Sequence, residues 1–179
     1  TANVKSSAVE EDCMELNWIY EADNFTIDDI AISGDGKYAI IGGFNGTFDN
    51  ENYPLHGKLL FFSKDSSTLL WSYNETERVY SVDLSDDGKY AIFGDTNNYT
   101  YLMNTISQII INVYDCGSPV SNVQISGDGN DYVCRANDTV YFFNQSQSAP
   151  IWSFKASSII TSVALSSDGI YLIIGTKLG

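Results

Sequence analysis

Basic residues are scarce: 9 Lys and Arg stand against 23 Asp and Glu, a formal net charge of −14. Nucleic-acid affinity comes from basic side chains that displace counterions from phosphate, so that class of partner is excluded. Anionic membrane surfaces are disfavoured on the same ground, and the acidic surface reads as a solubilising one. No apolar run approaches the ~18 residues that would cross a bilayer. No signal-peptide pattern is present, although the opening at Thr1, in mid-phrase, is compatible with an upstream signal. The single histidine, His56, has no Ser, Cys or second His near it, so neither a nucleophile–base pair nor a metal cluster is expected. Cysteine is rare and odd in number: Cys13, Cys116 and Cys134. No CxxC or Cys/His spacing occurs, which argues against zinc. Cys134 lies in an apolar strand and Cys116 in the turn-like Asp115-Cys-Gly-Ser118. In an oxidising compartment these two are the pair expected to join as a disulfide, leaving Cys13 with a partner elsewhere or none.

What the chain does have is a repeat. Ile32-Ser-Gly-Asp-Gly-Lys-Tyr returns as Leu84-Ser-Asp-Asp-Gly-Lys-Tyr, Ile125-Ser-Gly-Asp-Gly-Asn-Asp and Leu165-Ser-Ser-Asp-Gly-Ile-Tyr. The aspartates, Asp35, Asp87, Asp128 and Asp168, are 52, 41 and 40 residues apart. A period near forty with β-type residues around each phrase predicts β-propeller blades of four antiparallel strands. The first unit is expected over 28–33, 38–43, 58–63 and 68–74. The second is expected over 80–85, 90–95, 99–104 and 109–115, and the third over 120–126, 131–136, 139–144 and 150–156. A fourth shows only 160–166 and 171–176, and 15–22 reads as a lone outer strand. About three complete blades plus partial blades at both ends result, an open arc or a fragment of a larger propeller. Residues 1–14 are read as a polar extension and 15–179 as the repeat region.

Turns of a few residues imply hairpins rather than crossover helices. Runs such as Tyr90-Ala-Ile-Phe and Lys58-Leu-Leu-Phe-Phe are apolar on successive residues, so both sheet faces are covered, as in stacked blades. In Ser-x-Asp-Gly the Asp bonds nearby backbone and the Gly supplies positive φ; calcium would need more oxygens within one loop. Trp18, Trp71 and Trp152 recur at one strand position, read as wedges between blades, and Asn112 breaks the series. The first unit carries an insertion, residues 44–56, whose Asp49, Asn50, Glu51 and Asn52 offer oxygens but read as a solvated loop.

The stretch from Tyr38-Ala-Ile-Ile-Gly to Lys58-Leu-Leu-Phe-Phe-Ser and Leu70-Trp-Ser-Tyr73 resembles repeats of WD-like and quinoprotein-like propellers. The likeness is nearest to secreted or surface-anchored archaeal proteins. It implies a fold and a recognition scaffold, with no catalytic residue and no cofactor to carry over. Ser63, Asn104 and Asn144 stand where WD repeats end their third strands in Trp-Asp, and no quinone-clamping cysteine pair is recognisable. Six Asn-x-Ser/Thr sequons are candidate glycosylation sites: Asn24, Asn45, Asn74, Asn98, Asn137 and Asn144. Asn45, Asn98 and Asn137 fall at equivalent hairpins, while acidic residues after Asn74 and Asn137 weaken them as acceptors. The expectation is a non-enzymatic extracellular or cell-surface scaffold that binds a protein, a glycan or further copies of itself, with N-linked glycans and no membrane insertion in this segment. Alternatives are a structural subunit of a glycosylated surface layer or filament, and a fragment of a quinoprotein-like dehydrogenase.

Overall fold

The computed structural model describes residues 2–10, 13–46 and 56–178, and every regular element among them is a strand. Strands β1 (Ala2–Glu10) and β2 (Cys13–Ala22) form a two-stranded antiparallel sheet. The first four-stranded sheet is β3 (Phe25–Ile32), β4 (Tyr38–Asn45), β5 (His56–Ser63) and β6 (Leu69–Glu75), paired in chain order. The second is β7 (Val79–Leu84), β8 (Tyr90–Asp95), β9 (Tyr99–Asn104) and β10 (Ile109–Asp115). The third is β11 (Val120–Ile125), β12 (Asp131–Ala136), β13 (Thr139–Asn144) and β14 (Trp152–Lys155). Last come β15 (Ile160–Leu165) and β16 (Leu172–Thr176), again a pair.

The sequence expectation misses in two places. Most of the supposed polar extension is a strand, so the outer strand thought to stand alone has a partner in β1. Val4, Ala8 and Val9 are diluted by Lys5, Ser6 and Ser7, residues of low strand propensity, which hides the signal. The last strand of the third sheet is also shorter than expected and starts after Pro150, which has no N–H for the ladder.

The units pack on one another through their faces. One core cluster joins Ile40, Leu59 and Phe61 of the first sheet to Val82, Leu84 and Phe93 of the second. Another joins Ile92 and Leu102 of the second to Val123, Tyr132 and Phe143 of the third. The second sheet is thereby buried on both faces, and clusters with β2 and with β15 and β16 cover the outer faces of the first and third, which explains the unbroken apolar runs.

Each unit's first strand carries a bulge, at its fourth residue in β3 and at its second in β7, β11 and β15. Just past it, a polar side chain accepts a backbone N–H from the next unit. Asp29 accepts from Val82 (3.0 Å), the Ser81 hydroxyl from Val123 (3.2 Å) and Asn122 from Val163 (3.1 Å). These edge strands have no ladder partner on that side, so the side chains satisfy donors that burial would otherwise orphan.

Candidate functional site

The Ser-x-Asp-Gly phrase forms the same closed turn four times. In the first, Ser33 Oγ donates to Asp35 Oδ1 (2.8 Å), accepts from the Tyr38 N–H (3.0 Å), and Asp35 accepts from the Lys37 N–H (3.0 Å). Gly36, Gly88, Gly129 and Gly169 take the positive φ, 69° to 76°, that the reversal requires. These bonds hold the Asp35 carboxyl down at about 2, the Lys37 ammonium being the largest cause, and lower Asp87, Asp128 and Asp168 as well. The aspartates are spent on their own turns. Backbone bonds then link turn to turn: Asp35 N–H to Asp86 O, Asp86 N–H to Gly127 O, and Gly127 N–H to Ser167 O. All four turns therefore share one end of the stack.

Up-and-down strand order puts the hairpins between second and third strands, and the links between units, at the opposite end. Gly46 N–H there bonds Asn24 O, Cys116 N–H bonds Asn98 O, and Ile160 N–H bonds Asn137 O. Five of the six sequons occupy this end: Asn24, Asn45, Asn74, Asn98 and Asn137. Asn24, Asn98 and Asn137 sit at positive φ, a conformation that Asn tolerates better than most residues. Asn144 is at the Asp-Gly end. Its amide donates to Asp131 (2.8 Å) and its carbonyl accepts from Ser146, so that side chain is engaged.

At the Asp-Gly end a cleft of about 300 Å³ opens between the first and second sheets, lined by Tyr38, Phe61, Trp71, Asp87, Lys89 and Ile106. Trp71 stacks on Phe61 with centroids 4.7 Å apart, and Phe61 on Tyr38 at 5.4 Å. The Lys89–Asp87 ion pair (2.6 Å) sits beside this aromatic stack. Trp71 is thus half-buried, a wall of the cleft as well as a spacer between units. Trp18 packs on Phe62 of the next unit and its indole N–H donates to Lys64 O (2.8 Å). Asn112, at the same strand position, keeps the polar half of that contact by donating to Gln147 O (3.0 Å) and Tyr132 Oη (2.7 Å).

The two arginines of the chain both bridge units. Arg78 forks onto Asp28, with Nε 2.8 Å from Oδ2, and its guanidinium lies over the Phe44 and Tyr80 rings. Arg135 donates to Ile160 O. Cys116 and Cys134 are brought together, both buried, with sulfurs 3.2 Å apart as free thiols; burial pushes the Cys134 thiol well up. Asp83 is perturbed as well: burial raises it to about 6, with Asp29 and Asp86 adding to the effect. The carboxylates at 49 and 51 of the insertion lie outside the described residues, and no metal-binding cluster occurs among the described ones.

Sequence reasoning located the sequons and the cysteine pair but not the cleft. Tyr38, Phe61 and Trp71 come from three strands, and their only signal was the repeated Trp. No protein-family model matches this chain, and no curated protein gives a significant match.

Proposed function

We propose that the chain is a non-enzymatic β-propeller segment of an extracellular or cell-surface protein, and that it recognises partners through its Asp-Gly end. The observation carrying this reading is the division between ends. Five sequons crowd one end, while the other offers an aromatic cleft and the polar turn loops. Glycans on the first end would leave the second as the accessible protein surface. Recurrent four-stranded sheets packed face to face, with neighbouring first strands, support the propeller arrangement. The cleft's flat stacked rings beside a Lys–Asp pair suit a ligand with one apolar face and a hydroxylated edge, which favours a glycan.

Two measurements test it. Peptide mapping of protein from its native host should find added glycan mass on Asn24, Asn45 and Asn98 and none on Asn144. A glycan array probed with the chain should give signals that Trp71→Ala abolishes. That substitution should cost about 2 kcal/mol of stability, less than the ~3–5 kcal/mol of a fully enclosed ring. Bare sequons in native material together with a silent array would sink the proposal. Dye reduction on adding pyrroloquinoline quinone and Ca²⁺ would favour the dehydrogenase reading instead.

A further inference from the structure

The gaps between units differ in one polar contact. Lys64, Thr105 and Gln145 open equivalent turns, since each donates its N–H to the carbonyl of the residue after an Asp-Gly glycine: Lys37, Lys89 and Asn130. Into the first of these turns the Trp18 indole of β2 donates, reaching the Lys64 carbonyl at 2.8 Å. Into the third, Asn112 of β10 donates, reaching the Gln147 carbonyl at 3.0 Å. At the middle turn the bond is missing. Among the described residues, the indole N–H of Trp71 in β6 has no hydrogen-bond partner. No donor among them reaches the Thr105 carbonyl either, although Thr105 is only 3% exposed. Both residues line the cleft of about 300 Å³.

A donor and an acceptor left unpaired in a partly enclosed site are costly until something engages them. A hydroxyl group engages both at once, because its oxygen accepts from an N–H while its hydrogen reaches a carbonyl. We infer that the cleft binds one uncharged pyranose ring, with the Trp71 N–H and the Thr105 carbonyl sharing a ring hydroxyl. This rests on the recognition reading above and narrows it to a ligand class and a specificity-determining residue.

Size, charge and apolar lining each restrict the ligand. A volume of about 300 Å³ is at the low end for ligand clefts, which suits one ring rather than a chain of them. Lys89 is the one basic residue lining the cleft, and Asp87 already neutralises it at 2.6 Å. No cation is left over for a sugar carboxylate or sulfate, and a net charge of −14 repels such groups. Exposed Leu70 and Ile106 border the Tyr38, Phe61 and Trp71 rings, an apolar wall for the C–H face of a sugar.

Nitrogen-15 NMR of the chain reads the three indole N–H signals of Trp18, Trp71 and Trp152 separately. Trp71→Phe assigns its signal by loss; if that variant fails to fold, Trp18→Phe and Trp152→Phe assign it by elimination. The probes are the methyl glycosides of glucose, galactose and mannose, with methyl glucuronide and methyl galacturonide as charged counterparts. At least one neutral glycoside should move the Trp71 signal and leave that of Trp18, whose N–H is already bonded, in place. Trp71→Phe, which keeps a ring in the cleft, should weaken that binding roughly five- to tenfold, the worth of one hydrogen bond. The charged counterpart should bind more weakly than its neutral parent. A Trp71 signal that stays still while a glycan array responds would overturn the inference and leave the recognition reading standing. Equal binding by Trp71→Phe, or equal binding of the charged sugar, would overturn it too. A silent array with no indole shift would remove the recognition reading and this inference together.

Discussion

At the scale of single residues, scarcity marks importance. With only nine basic side chains, both arginines are placed between units rather than on the surface. The Arg78–Asp28 pair is largely shielded, so removing one partner strands the other charge away from water. Arg78→Ala should therefore lower unfolding stability by roughly 3 kcal/mol, measurable by urea titration. Arg78→Lys should recover only part, because an ammonium cannot fork onto a carboxylate. An exposed-pair effect of a few tenths of a kcal/mol would contradict this role. The thiols of Cys116 and Cys134 allow a second residue-scale test. Exchange with a small disulfide such as oxidised glutathione should cross-link them, with loss of two hydrogens from the chain and release of two reduced thiols. Peptide mapping should find Cys116 joined to Cys134, and the linked protein should melt higher by an amount set by its closed loop, on the order of 3 kcal/mol. A mixed disulfide that never resolves to the internal link would show the pair cannot reach bonding geometry.

At the scale of elements, the spacing between sheets depends on where a second strand lacks side chains. An added Cβ at Gly94 in β8 would lie 2.3 Å from Val120 Cγ1 and 3.0 Å from the Val120 carbonyl of the next unit. Gly42 in β4 approaches Val82 and Val79 in the same way. Neither neighbour can swing aside, because Val79, Val82 and Val120 are buried in the inter-unit core. Gly94→Ala should thus push two sheets apart and cost roughly 2–3 kcal/mol, within the range for overpacking. The same substitution at Gly117, which has open space around a Cβ but sits at φ 71°, should cost less and only through backbone strain. Thermal melts of the two variants side by side would separate these effects.

For the whole molecule, stability should peak on the acid side of neutrality. Asp83 is displaced from 3.8 to about 6 by burial, and burial raises Asp95 too. Such groups hold protons in the folded state that the unfolded chain has released. The contribution of Asp83 is complete below about pH 4 and is lost as pH rises through about 6, up to about 3 kcal/mol, and Asp95 acts in the same direction. The turn aspartates Asp35, Asp87, Asp128 and Asp168 act oppositely, stabilising above about pH 4 and losing that effect as pH falls through their lowered values. The melting temperature should therefore be highest near pH 4–5 and decline toward pH 7. Asp83→Asn should flatten the decline, and a wild-type melting temperature that rises from pH 4 to pH 7 would refute the assignment.

The repeat determined by itself the strand order, the turn positions and the burial of both sheet faces. Local chemistry suffices for these: Asp and Gly specify each reversal, and unbroken apolar runs require cover on both sides. It also placed Asn45, Asn98 and Asn137 at equivalent hairpins, since that follows from counting strands. Tertiary structure alone decided what meets across units: the Tyr38–Phe61–Trp71 cleft, the Arg78 fork, the Cys116–Cys134 contact and the burial of Asp83. These join residues from different strands or different units, and no local pattern encodes such distances. The strand β1 was decided there as well. Its Lys and Ser residues carry little strand propensity, and only its pairing with β2, with Ser6 opposite Trp18, shows that it is a strand.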